Sequence, residues 1–321
     1  MPAGAGVTTP TALNYAEDYQ RELANAFPYS LYFGELWGQK SEGRYEFIDA
    51  KTIKIPRLTT TGRVNGDRDT IGTAARNFDN SWETKTLSNH RKWSTLVHPM
   101  DIDQTNQVAS IANITKTFNQ FQKFPEMDAY LISGLYARYT TTISAEGYTG
   151  KTASTTSLEK TGGALDGDKV LAEFDAFMLA MDNARVPISG RLLYVTNEVK
   201  SALKTAASIE KRWEVQQGGN GINRTVEYID GVKVNAVPAE LMKTLYNFTT
   251  GYAPATTADQ INMFMCHPLA ILTPINYTFA QLSAPSALSE GKWVYFEESF
   301  EDVFILNNLA DALQFNIKVH A

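Results

Sequence analysis

The chain has 321 residues, 43% of them hydrophobic, and carries 29 Lys and Arg against 35 Asp and Glu, a net charge of −6. That apolar content suffices for one large or two modest cores, and the negative balance excludes a groove dedicated to nucleic acid, which needs clustered positive charge. No apolar run approaches the ~18–20 residues of a membrane span, and the single cysteine, Cys266, has no internal disulfide partner, as expected for folding in a reducing cytosol.

Residues 1–43 read as an arm. The opening MPAGAGVTTPTALNYAEDY lacks the basic and apolar regions of a secretory signal, and a short helix-like piece with Tyr15, Tyr19 and Leu23 follows. From Tyr45 to Leu58 the text alternates, best over Thr52-Ile53-Lys54-Ile55, and from Trp82 to Val97 it is strand-like but polar on both faces. Gly62, Asn65-Gly66 and Gly72 lie between, so 44–99 is expected to be an extended hairpin. With little apolar content, such a hairpin must lean on another surface. It carries ten basic and six acidic residues, net +4, which leaves −10 on the rest of the chain. A basic hairpin on an acidic body points to contact between subunits.

Asp101–Thr140 carries apolar residues at helical spacing: Val108, Ile111, Ile114 or Thr115, Phe118 and Phe121, then Leu131, Ile132, Leu135, Tyr136 and Tyr139. Asp103 or Thr105 is the expected N-cap, and Pro125 is expected to kink the helix. About forty residues at ~1.5 Å each would make a rod of roughly 60 Å, which needs a sheet laid along it.

A polar connector, SAEGYTGKTASTTSLEKTGG, reads as a domain boundary. Asp166 or Asp168 then caps an amphipathic helix with Leu171, Phe174, Met178 and Met181 on one face. A buried-type strand at 191–196, a helix capped by Thr196, a glycine-rich loop at 216–223, a hairpin at 226–238 turning on Asp230-Gly231, a short helix near Ala239–Tyr246 and a strand at 261–267 complete an α+β unit. Residues 292–319 read as a β-meander turning at Asn307-Asn308, the expected sheet for the long helix.

Catalytic signals are sparse. Asp101-x-Asp103-x-Thr105 has the spacing of the aspartyl-phosphate loop of haloacid-dehalogenase-like phosphatases, where one Asp attacks phosphorus with Mg²⁺ present. There the motif follows a buried parallel strand, whereas Pro99 here fits poorly in one. An acid-rich helix N-terminus explains the residues equally well. GGALDGDK (162–169) has Asp168 where a phosphate loop needs Lys. His90, His98, His267 and His320 have no metal-ligand spacing. No catalytic, cofactor or metal site is expected.

The segments FIDAKTIKIPRL, NFDNSWETKTLSNHRKWSTLVHPMDIDQTN, YIDGVKVNAVP and FEDVFILNNLADALQFNI, in this order, resemble a tailed-bacteriophage major capsid protein of the Hong Kong 97 fold type, also used by encapsulin shells. The resemblance implies an α+β fold with an N-terminal arm (1–43), an extended E-loop hairpin (44–99), a P-domain with a long spine helix and strands (100–161 and 286–321) and an inserted A-domain (162–285). It also implies self-assembly as pentamers and hexamers into an icosahedral shell around double-stranded DNA, located in the virion and assembled in the host cytoplasm, without catalysis, cofactor or membrane. Portal, a separate scaffold and cementing proteins are the partners it suggests. An encapsulin-like nanocompartment is the alternative. On the charge map, Arg57, Arg63, Arg68 and Arg76 are expected to contact a neighbouring subunit, with Glu297, Glu298, Glu301 and Asp302 as acidic partners, and the 216–223 loop as the axial tip.

Overall fold

Alternation along the central strands sorts their side chains to two sides. Leu192 and Tyr194 share one core with Phe264 and Cys266, whereas Leu193 and Val195 share another with Met263 and Met265. A sheet apolar on both faces must be covered on both. The computed structural model, which describes residues 29–37, 45–49, 51–63, 65, 76–104, 110–144, 147–206 and 227–320, shows how. The expected arm helix, Arg68, Thr105, Val108 and the 216–223 loop lie outside the described residues.

In chain order the elements are α1 (Gly34–Trp37), β1 (Glu46–Phe47), β2 (Thr52–Thr60), β3 (Phe78–Thr86), β4 (His90–Val97), α2 (Pro99–Gln104), α3 (Ile111–Phe118), α4 (Phe124–Thr140), α5 (Gly167–Asn183), β5 (Leu192–Thr196) and α6 (Asn197–Leu203). They continue with β6 (Tyr228–Ile229), β7 (Val232–Val237), β8 (Tyr246–Asn247), β9 (Ala253–Pro254), β10 (Gln260–Cys266), β11 (Ile271–Leu272), β12 (Ile275–Ser283), β13 (Trp293–Glu301), β14 (Phe304–Ile305) and β15 (Leu313–Lys318). The largest sheet has the order β15-β10-β5-β7-β6. The β5–β7 pair is parallel and the other pairs antiparallel. Helices α5 and α6 cover one face through Val170, Phe174, Phe177, Met181, Val199 and Leu203. Helix α4 covers the other, where Tyr136 and Tyr139 meet Phe315 with ring centroids at 5.6 and 5.1 Å. Leu131, Ile132 and Leu135 are fully buried there, each burial contributing about 1.5–3 kcal/mol.

Local chemistry explains the boundaries. Asp166 caps α5 by accepting from Asp168 N–H at 3.2 Å, and Thr196 caps α6 by accepting from Val199 N–H. The β6–β7 hairpin turns on Asp230 and Gly231, both at positive φ (48° and 80°), as a two-residue primed turn requires. The spine runs unbroken from Ile111 to Thr140, with Ser110 as its cap in place of Asp103, which belongs to the separate short helix α2. The helix continues through Pro125 as expected, with one specific distortion before it. Pro125 has no N–H and its ring crowds the preceding turn, and residues Asn119–Lys123 form a π turn in which Phe124 N–H reaches back to the Asn119 carbonyl.

Two pairings depart from the expected layout, and one strand was not expected. The 82–97 stretch is interrupted at Leu87–Asn89, so β3 pairs with β2 while β4 pairs with β13. Strand β12, for which the sequence analysis gives no element, pairs with β13. The 292–319 stretch is no meander: after β13 and β14, a 3₁₀ segment (Asn307–Ala312) carries the chain across to the edge of the large sheet, where β15 pairs with β10. The spine therefore rests on two sheets, α4 on the large one and the α3 end against β4–β13–β12, where Phe118 stacks on Trp93 at 3.9 Å.

Candidate inter-subunit surfaces

In an antiparallel pair, directly opposite residues share a face. The β2–β3 register places Ile53 opposite Lys85 and Ile55 opposite Glu83 on one face, and Pro56 opposite Trp82, Leu58 opposite Asn80 and Thr60 opposite Phe78 on the other. The first face is anchored at its base: Ile53, Ile55 and Leu87 pack on Leu272, Phe300 and Phe304. The buried Lys85 ammonium lies 2.9 Å from Glu83 and donates to Asn307 Oδ1 at 3.2 Å. The second face is open. Trp82 is 57% exposed, Leu58 66% and Phe78 51%, a concentration of apolar surface that a solitary soluble chain rarely presents on one ribbon.

The basic residues sit along this ribbon. Arg57 is half-buried, and its Nε has no hydrogen-bond partner among the described residues. Arg63 is exposed at the outer end. Arg76 is exposed beside the Phe78 ring, 5.9 Å from its centroid, and 3.9 Å from Asp79. The outer apolar face, unlike the charges, was not singled out from the sequence. The signal was there in the i, i+2 spacing of Pro56 and Leu58 and the i, i+4 spacing of Phe78 and Trp82.

The acidic quartet does not form one surface. Glu297 accepts from Lys123 Nζ at 3.1 Å and Tyr295 Oη at 2.7 Å, and Glu298 lies 3.3 Å from His90 Nε2. Glu301 is buried and accepts from Ser299 Oγ at 2.7 Å. Asp302 is fully buried. It accepts from Arg138 at 2.6 Å, Tyr130 Oη at 2.9 Å, Ser88 N–H at 2.8 Å, Ser88 Oγ at 3.1 Å and its neighbour Val303 N–H at 2.8 Å. That carboxylate is committed to its own chain: it joins the spine to the β3–β4 junction and is out of reach of another subunit. Burial beside this charge pushes the Tyr130 phenol up to about 12.

A cleft of about 570 Å³ lies between the spine and the smaller sheet, lined by Arg91, Trp93, Phe118, Lys123, Glu126 and Glu297 among others. Its charges are paired across it, with Arg91 Nε 2.5 Å from Glu126 and its Nη1 donating to the Phe248 carbonyl at 2.7 Å. Desolvation raises the Glu126 carboxyl in spite of that guanidinium. Asp101 and Asp103 lie elsewhere, in α2, directly after β4, which is an antiparallel strand at the edge of its sheet among the described residues. The buried parallel strand that precedes an aspartyl-phosphate loop is therefore not what stands before them. Among the described residues no group of His, Cys, Asp and Glu is placed to hold a metal, and no helix is long and apolar enough to cross a membrane.

No family model matches the sequence, and no curated protein does. Solved structures match along nearly the whole chain. The mature capsid of bacteriophage PhiM1 aligns over 96% of this chain and 93% of its own at 12% identity, with a TM-score of 0.66. The capsid of cyanophage P-SCSP1u aligns over 96% and 94% at 13% identity (TM-score 0.62), and that of Ralstonia phage GP4 over 99% and 99% at 11% identity (TM-score 0.61). This chain has the mixed helix-and-strand fold of phage capsid proteins, as the resemblance in its sequence implied.

Proposed function

We propose that this chain is the major capsid protein of a tailed phage, assembling as pentamers and hexamers into the icosahedral shell that encloses a double-stranded DNA genome. The observation that carries this reading is the β2–β3 ribbon. Among the described residues its apolar packing on its own body is at its base, and it presents Trp82, Leu58 and Phe78 outward, on a fold shared with phage capsids along almost the entire chain. In this reading the ribbon is the E-loop and docks on a neighbouring subunit. The spine with β13 is the P-domain, whose sheet takes in β4 from the 44–99 segment and β12 from the 162–285 segment, and the layers around β5, β7 and β10 are the A-domain, with β15 of the 286–321 segment at their edge. Permanent assemblies bury about 2,000 Å² or more per interface, and a ribbon with an apolar face supplies part of that area. Arg57, Arg63, Arg68 and Arg76 orient the encounter more than they hold it, because an exposed ion pair contributes only about 0–1 kcal/mol. Among the acidic residues, Glu297 and Glu298 are the ones left to face a neighbour. The net charge of −6 suits a container, since a strongly basic lining would grip the genome.

The test is negative-stain microscopy with light scattering on purified protein at low and high salt. Shells, tubes or rings of five or six support the reading. A monomer that stays monomeric with co-expressed scaffold, portal and cementing proteins sinks it. Shells that carry a specific enzyme cargo and no genome would assign the chain to cellular nanocompartments instead.

A further inference from the structure

The β12–β13–β4 sheet turns one face to the spine. Trp93 and Glu297 stand opposite one another in the β4–β13 register on that face, where Trp93 stacks on Phe118 and Glu297 accepts from Lys123. Their neighbours along each strand point the other way. On this outer face Phe279 of β12 meets Phe296 of β13 with ring centroids at 6.1 Å, and Leu96 of β4 stands opposite Val294. Tyr277 lies 6.3 Å from the Phe300 ring at its end. Leu96 is 61% exposed, Tyr277 51% and Phe279 41%, while Phe296 and Val294 are half-buried. The chain's own ribbon covers the Phe300 end, where Ile53 and Ile55 pack on that ring and Lys51 lies 5.1 Å above it. Beyond Phe300 the face is open among the described residues. A sheet face this apolar has to be covered by something.

We infer that the outer face of this sheet is the seat for the Trp82 face of the ribbon from a second copy, in a contact that joins two unlike surfaces. The inference rests on reading the ribbon as a contact between subunits and names what receives it. A two-stranded ribbon points its faces in opposite directions. The face with Ile53 and Ile55 already touches its own sheet at Phe300, so the face with Trp82, Leu58 and Phe78 is turned away from that sheet and meets one on another chain. The dimensions agree. Strands of eight or nine residues are about 27–30 Å long in both bodies, and a ribbon ~10 Å wide fits a three-stranded face ~14 Å wide. Charge decides against a second ribbon as the partner. Residues 52–86 hold six basic and four acidic side chains, net +2, on a chain of net −6. Ribbons therefore repel one another and are drawn to the acidic remainder of a neighbour. A footprint of roughly 300 Å² per partner is under half of the ~800 Å² in a standard interface, so one such contact is weak alone. Unlike surfaces let every copy give one ribbon and receive another, which builds rings rather than stopping at a pair.

The test uses the full chain with the photo-crosslinker p-benzoylphenylalanine in place of Trp82, associated as a mixture of isotopically heavy and light copies, irradiated and digested. Heavy-to-light adducts are expected on peptides covering 90–97, 275–283 and 293–300. In parallel, Leu96→Ser with Phe279→Ser should weaken association at least about tenfold by light scattering, as loss of central apolar contacts does. If circular dichroism shows that this double variant misfolds, Leu96→Ser alone, at the more exposed position, serves with the same expected direction. Heavy-to-light adducts on a second ribbon or on any other surface, or wild-type association by the sheet-face variant, would overturn this face as the seat while leaving the ribbon a contact. A chain that associates without heavy-to-light adducts from position 82, or that never associates, would overturn the ribbon contact itself and the seat with it.

Discussion

Arg138 and Asp302 meet at 2.6 Å inside the protein, one on the spine and one at the end of β13, with the carboxylate fully buried. Ser88, between β3 and β4, gives the same carboxylate two further hydrogen bonds, so one charge fixes the angle at which the ribbon leaves the body. Removing one partner of such a pair strands the other in a medium that cannot solvate it. Asp302→Ala should lose about 3–5 kcal/mol of stability, measured by denaturant unfolding. A loss below about 1 kcal/mol would show that water reaches Arg138 and that the pair is not a structural pivot.

The open face of the ribbon separates folding from assembly. Leu58→Ser with Trp82→Ser should leave monomer stability within about 0.5 kcal/mol, as for substitutions that touch little of their own chain, while shell or ring formation by light scattering drops sharply. Equal assembly by wild type and double variant would remove the ribbon face from the interface.

The arginines should act on rate and salt dependence. With Arg57, Arg63, Arg68 and Arg76 all reversed to Glu, the 44–99 segment changes from +4 to −4, and assembly should slow by at least about tenfold at low salt, converging on wild type as salt screens both. Strong assembly by the reversed chain at low salt would exclude these residues as contacts.

Two glycines distinguish conformation from space. At Gly167 a Cβ would stand 2.4 Å from the Ala202 carbonyl oxygen, where α5 meets the end of α6. Gly167→Ala should therefore cost about 1–3 kcal/mol by forcing the helices apart. Gly231 has open space around its Cβ position but φ of 80°, so Gly231→Ala should cost about 1 kcal/mol through backbone strain alone. Thermal unfolding of both variants checks the order, and a larger loss at Gly231 would contradict it.

Local pattern alone located the amphipathic helix after Asp166, the Thr196 cap, the Asp230-Gly231 hairpin and the 261–267 strand. In each, a short-range signal such as period, cap or turn chemistry is also the physical cause. The order of parts further carried the likeness to a capsid fold. Tertiary structure decided what depends on distant partners. The 82–97 text reads as one strand because it is strand-like throughout, and the residues that hold the break at Ser88–Asn89, Asp302 and Glu301, are more than two hundred residues away. Residues 292–319 read as one meander because nothing local shows that β15 will find β10 rather than β13. Asp302 itself looked like a surface acid in an acidic stretch. Its burial follows from Arg138 and Tyr130 lying on one face of a helix whose position no nearby residue determines. Charge and period are written along the chain, whereas burial arises only where separate elements meet.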